Sequence, residues 1–244
     1  MNSSGQGAGF VFELCLEDLY SVDLALNYGI GAIELCSALD LGGVSPSAGL
    51  IRAVRKRFQG ELSVLIRPRP GNFEFSNQEK YLIQEDARMA LDMGVDMVVT
   101  GALDAQGNID MTFLENLGQT VGMEKICFHR AIDQTPDLVR SLENLLNLGI
   151  PRVLSSGQAS SAEKGAKNLQ KMGILTQGKM VVMAGGGIRA SNLEQIIQTT
   201  GLERFHSSLK QILSGHSQFG NPTGVDEGEL QKCLGIMRSW KVSN

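Results

Sequence analysis

Short runs of Val, Ile, Leu and Phe alternate along the chain with longer stretches whose apolar residues recur at helical spacing. The short runs predict strands at 10–15, 32–36, 62–67, 97–100, 126–129, 152–155, 180–184 and 204–207. The intervening stretches predict helices over 18–28, 47–58, 76–93, 111–121, 136–148, 160–172, 191–199 and 227–240. Several of these end on a glycine that can adopt the left-handed conformation of a helix C-cap, as at Gly29, Gly94 and Gly149. Ser47, Ser76, Thr135 and Ser191 stand where N-caps are needed, and Pro136 suits a first turn. Eight strand–helix units in one chain predict an α/β protein built as a single-domain (β/α)8 TIM barrel. A doubly wound open sheet is the alternative; against it, no G-x-G-x-x-G follows the first strand and no linker divides the chain.

Composition narrows the function. With 244 residues and 42% hydrophobic content the chain can fill one large core. Its 22 Lys and Arg against 26 Asp and Glu form no sustained basic block, which argues against nucleic acid and against an anionic membrane surface as partners. No apolar run approaches the ~18 residues of a membrane span. Residues 1–9 are small and polar and read as a flexible N-terminal segment ahead of a barrel domain over 10–244; a Gly-rich stretch at about 209–224 reads as a mobile loop. Cys15, Cys36, Cys127 and Cys233 are too few and scattered for a disulfide framework, so the chain reads as cytoplasmic with free thiols. Self-association into a homo-oligomer is left open.

In a barrel of this kind chemistry collects at the C-terminal ends of the strands. Glu13 and Cys15 share one face of the first strand, and Glu34 with Cys36 repeats the pattern on the second. Arg67 and Arg69 follow the third strand, His129 and Arg130 the fifth, Gly157 the sixth, Gly185, Gly186 and Gly187 the seventh, and His206 with Ser207 the eighth. Glu13, Glu34 and His129 are candidates to move protons. The arginines, Gly157, the glycine run, His206 and Ser207 are candidates to bind an anion, since permissive loop amides beside a helix start hold phosphates. The plainer reading makes Glu13 and Glu34 structural, paired with Arg67, Arg69 or Arg130. Matching thiols on neighbouring strands can converge on a soft ion such as Cu(I), whereas buried packing is the commoner fate of cysteine. His216 reads as solvent-exposed.

The motifs F-E-L-C-L-E (12–17), I-E-L-C-S (33–37), I-R-P-R (66–69), F-H-R-A-I-D (128–133), R-V-L-S-S-G-Q (152–158), A-G-G-G-I-R-A (184–190) and F-H-S-S (205–208), in this order, resemble the CutC family of copper homeostasis proteins. The resemblance implies a TIM barrel in the cytoplasm and places Cys15 and Cys36 at the family's proposed Cu(I)-ligand positions. The chain departs from the family pattern at Leu41 and Asn72, where acidic residues are usual. Two functions are therefore expected: copper homeostasis with Cu(I) as cargo, or an enzyme acting on a small anionic or phosphorylated metabolite.

Overall fold

The computed structural model describes residues 9–213 and 221–243 of the chain. Eight parallel strands close on themselves in sequence order: β1 (Val11–Leu16), β2 (Ala32–Leu35), β3 (Glu61–Leu65), β4 (Met97–Thr100), β5 (Ile126–Phe128), β6 (Arg152–Ser155), β7 (Val181–Gly185) and β8 (Arg204–Ser207). Helices α1 (Leu19–Asn27), α2 (Ala48–Arg57), α3 (Asn77–Asp92), α4 (Met111–Val121), α5 (Leu138–Leu148), α6 (Ala166–Thr176), α7 (Ala190–Thr200) and α8 (Glu227–Ser243) follow them in turn. Closure pairs β1 with β8, Glu13 opposite His206, and leaves no open sheet edge.

The apolar residues divide into two clusters because a barrel strand has two faces. Leu14, Leu16, Ile33, Leu35, Leu62, Val64, Val98, Phe128, Val153, Ala184 and Phe205 point outward and pack under the helices. The inward positions carry a much smaller set: Cys15, Cys36, Leu65, Met97, Val99, Cys127, Leu154 and Met183. The outer layer therefore supplies most of the hydrophobic stabilisation, which frees the interior to hold polar groups.

Cap chemistry fixes most helix starts. Ser47 and Ser76 accept from the backbone N–H groups of Leu50 and Glu79, and Glu79 returns a carboxylate to the Ser76 N–H as a capping box. Two expected caps do not form. Asp137, not Thr135, caps α5, so Pro136 precedes the cap; Thr135 instead donates to the Ile132 carbonyl. At α7 the N-cap position falls on Arg189, two residues before Ser191, and the Asn192 side chain accepts from the Arg189 N–H.

Helix α6 also begins later than the periodicity suggests, because residues 158–165 fold back over the end of β6. There Gly157 and Gly165 touch backbone to backbone: a Cβ on Gly165 would lie 1.9 Å from the Ser156 carbonyl oxygen, and Gly157 has φ +72°. The loop expected at 209–224 is partly ordered. Its flanks pair as an antiparallel ribbon, β9 (Lys210–Ile212) with β10 (Thr223–Val225). The expected flexible segment before residue 9, the centre of that loop and His216 lie outside the described residues.

Two glycine substitutions separate these effects. Gly165→Ala should lower the unfolding free energy by about 2 kcal/mol or more, since the backbone itself must shift. Gly235→Ala, on the exposed face of α8 with nothing within 4 Å of the added carbon, should raise it by about 0.5–1 kcal/mol. Urea denaturation of both variants measures the two signs.

Candidate functional site

At the N-terminal end of the barrel three charged side chains cross the interior. Arg204 donates to Glu61 at 2.5 Å and Arg152 reaches the same carboxylate. Above them lies Glu13, fully buried, with Arg204 at 2.8 Å and Arg152 at 3.7 Å from Oε2. Its other oxygen meets His206 Nδ1 at 3.0 Å. Burial alone would raise the Glu13 pKa; His206 and then Arg204 outweigh it and hold the carboxyl down at about 2. An ionised Glu13 can only accept, so Nδ1 of His206 carries the proton and Nε2 is the nitrogen left for other work.

One step nearer the mouth stand the thiols. Cys15 and Cys36 are free and buried, with sulfurs 3.5 Å apart. Cys15 Sγ also donates to Glu34 Oε1 at 3.5 Å, and Cys36 Sγ lies 3.7 Å from the Leu16 carbonyl. The hydrogen bond it shares with Cys36, then burial, push the Cys15 pKa well up, so it is a neutral thiol. Glu34 is 3% exposed and its Oε2 has no hydrogen-bond partner among the described residues. Burial raises its pKa against the pull of His206. Burial would lower the His206 pKa, yet the Glu34 and Glu13 charges raise it overall. Donor atoms of Cys15, Glu34 and His206 all fall within 4.8 Å of one another.

These groups form the floor of a cavity of about 270 Å³, whose upper walls include Arg67, Phe73, His129, Arg130, Gly186, Gly187 and Arg189. His129 Nδ1 accepts from the Ala131 N–H at 3.3 Å, so the neutral ring carries its proton on Nε2, which is buried without a partner. Burial, reinforced by Arg67, pulls the His129 pKa down to about 3. Arg130 is held by Asp133 at 2.9 Å and by Ser156 Oγ at 2.8 Å. Asp133 in turn accepts from the Ser155 hydroxyl and from the Ser156 and Gln158 N–H groups, tying β5 to the loop after β6.

The structure brings Cys15, Glu34, Arg67, His129, Arg130, Gly186, Gly187, His206 and Ser207 to one cavity. Ser207 is there as a staple, donating to the Ile188 carbonyl at 2.7 Å. Cys36 sits behind Cys15 and Glu13 beneath His206. Three expected residues are elsewhere. Arg69 bonds Glu79 at 2.5 Å and stacks over Phe75, because the chain has left β3 by then and the capping carboxylate of α3 captures it. Gly157 is pressed against Gly165. Gly185 lacks a side chain so that Leu154 can pack against β7, where a Cβ would lie 2.6 Å from Leu154 Cδ1. The expected pairing of Glu13 or Glu34 with Arg67, Arg69 or Arg130 does not form either: Arg204 and Arg152 serve Glu13, and among the described residues Glu34 has no arginine partner.

The model of the CutC family matches residues 10–211. The chain belongs to the CutC family. A mouse copper homeostasis protein cutC homolog is 38% identical over 218 residues, covering 89% of this chain and 80% of the mouse protein. A CutC family protein of Glaesserella parasuis is 39% identical, covering 93% of this chain and 97% of its own. The crystal structure of a Streptococcus agalactiae copper homeostasis protein CutC is similar with a TM-score of 0.77 at 29% identity, covering 82% of this chain and 98% of that one. A phosphoribosylanthranilate isomerase of Thermotoga maritima, at 10% identity and TM-score 0.59 over 94% of this chain and 99% of that one, shares the fold alone. Among the described residues, no helix of this CutC chain is long and apolar enough to cross a membrane.

Sequence reading missed Glu61, Arg152, Arg204, Phe73 and Arg189. The signal for the first three was present: each stands an even number of positions from an inward residue of its own strand, Leu65, Leu154 and His206.

Two measurements test this electrostatic layout. Arg204→Met removes a buried partner from Glu13 and should destabilise by about 3–5 kcal/mol in chemical denaturation. Nitrogen-15 NMR should show His129 neutral and protonated on Nε2 from neutral pH down to about 3, over a range in which His206 becomes cationic. The unfolded chain takes up a proton at His129 near its ordinary value of 6.5 and the native protein only near 3. The stabilising contribution of this residue is therefore complete above the first value and lost as pH falls toward the second.

Proposed function

We propose that this CutC protein handles copper by binding one Cu(I) ion between Cys15 and Cys36. The observation that carries the reading is the 3.5 Å separation of two unoxidised sulfurs. Such a pair offers soft donors to one small ion, and Cu(I) is the ion that favours them. Zinc would need Glu34 and His206 as full ligands beside the two thiols, whereas Cu(I) is already suited by the soft thiolates. The donor set fits the ion in a second respect: Glu34 Oε2 is buried without a partner, and Glu34 and His206 lie within reach of Cys15 to complete a shell.

Both thiols are buried, so the ion enters through the cavity, past His206 and Glu34, and displaces the thiol protons as it binds. All four cysteines are free, which suits a reducing, cytoplasmic setting.

Anaerobic titration against a Cu(I) chelator tests the reading. The Cys15→Ser, Cys36→Ser double variant should lose about a hundredfold or more in affinity, because the carboxylate and imidazole that remain are harder donors. Cys233→Ser, on α8 far from the mouth, should bind as the native chain does. Equal affinity in the double variant would remove these ligands from consideration.

A further inference from the structure

Arg67 is 5% exposed, yet among the described residues no carboxylate lies within ion-pair distance of it. Its donors go to the carbonyls of Gly42 at 3.1 Å, Gly43 at 2.9 Å and Gly71 at 2.6 Å. Its guanidinium lies over the Phe73 ring, and its Nε is buried without a partner. Carbonyls and a ring face satisfy hydrogen bonds but leave the charge uncompensated. A buried cation without an anion is costly, and a site that retains one favours an anionic occupant.

The rest of the cavity wall has the same polarity. Arg67, Arg130 and Arg189 line it against a single carboxyl, Glu34. Arg130 uses Nε on Asp133 and Nη2 on Ser156, and its Nη1 has no acceptor among the described residues. That nitrogen lies 3.3 Å from where a Cβ of Gly186 would stand, so the guanidinium rests directly on the glycine loop. The backbone N–H groups of Gly186 and Gly187 have no acceptor among the described residues, and both residues have positive φ, +104° and +71°. Deeper in, the unpartnered Nε2–H of His129, 95% buried, offers an uncharged donor.

These donors discriminate between anions. A carboxylate is best held by an arginine fork giving two parallel bonds, and the Arg130 fork is already committed to Asp133 and Ser156. What remains is one guanidinium nitrogen and two backbone amides, single donors on separate groups, which suits the several oxygens of a phosphate group better than the paired oxygens of a carboxylate.

We propose that the cavity above the thiols is a binding site for a small phosphomonoester, its phosphate on Arg130 Nη1 and the Gly186 and Gly187 amides and an oxygen of its organic body on His129 Nε2. Arg67 supplies the buried positive field. The site is independent of the copper reading: no thiol takes part, and the anion donors stand just after β5, on the loop after β7 and beyond β3. At about 270 Å³ the cavity leaves room for a short organic body besides the phosphate.

The test uses the reduced, metal-free full chain with inorganic phosphate and glycerol 3-phosphate as probes and glycerol as the uncharged control, followed by amide NMR. Both phosphates should shift the Gly186 and Gly187 resonances saturably while glycerol does not. Arg130→Met should weaken both by about tenfold or more, a charge-assisted bond being lost. His129→Phe should weaken glycerol 3-phosphate and leave inorganic phosphate unchanged, which a merely structural role would not do. The Cys15→Ser, Cys36→Ser variant should bind phosphate normally, so failure of the thiol site and failure of this one are told apart. The wild-type amide map stands whether or not Arg130→Met folds. Absence of saturable shifts in the wild type, shifts confined to other residues, or undiminished affinity in a folded Arg130→Met would overturn the proposal.

Discussion

A carboxylate buried at the centre of the barrel constrains everything around it. Glu13 has no access to water, and an ion in that position is tolerable only if its partners are fixed before the helices close over it. Arg204 and Arg152 reach it from below, and both also share Glu61, the one member of the layer with appreciable contact with solvent. From above His206 completes its hydrogen bonds. The same interaction thus plugs one end of the barrel and sets the tautomer of a ring that faces the other. With the outer apolar layer supplying the bulk of the stability, the interior can carry polar groups that a barrel filled with branched aliphatics would exclude.

Above this layer the site separates by chemical softness. Thiols, with an imidazole and a carboxyl beside them, line the deep end; guanidiniums, a neutral imidazole and backbone amides line the outer end. The two histidines sit in opposite states for identifiable reasons. His206 is drawn toward the cation by two carboxyl groups, whereas His129 is buried beside an arginine and kept uncharged. Both environments are set at the barrel wall, His206 on β8 and His129 at the residue that follows β5.

The architecture was legible because each strand and helix carries its own period, and all eight units are present in the expected order, with only the start of α6 displaced. Glu13, Cys15, Glu34, Cys36, His129 and His206 were legible as inward residues for the same reason. What periodicity does not encode is the partner across the barrel: Arg152 and Arg204 open apolar strands 91 and 143 residues from Glu61, and only closure of the sheet makes them neighbours. The period carries one position past a strand end, to Cys36 and His129, and fails beyond that. Arg69 is two positions past Arg67 yet is captured by the start of α3, and Gly157 serves a backbone contact with Gly165 that no local pattern announces.

Because Glu13 belongs both to the plug and to the mouth, the inheritance of this barrel is uneven. A lineage that altered His206 would leave two guanidiniums and two carboxylates to rearrange without water, so the deep wall can drift only by coordinated change on β1, β3, β6 and β8. The rim is freer. Arg130 is partly solvated and held from its own loop, and Arg189 stands at the head of a helix, bonded to the Lys210 carbonyl. Selection acting on this molecule can therefore exchange what the rim recognises many times over while the chemistry at the bottom of the cavity stays as it was inherited.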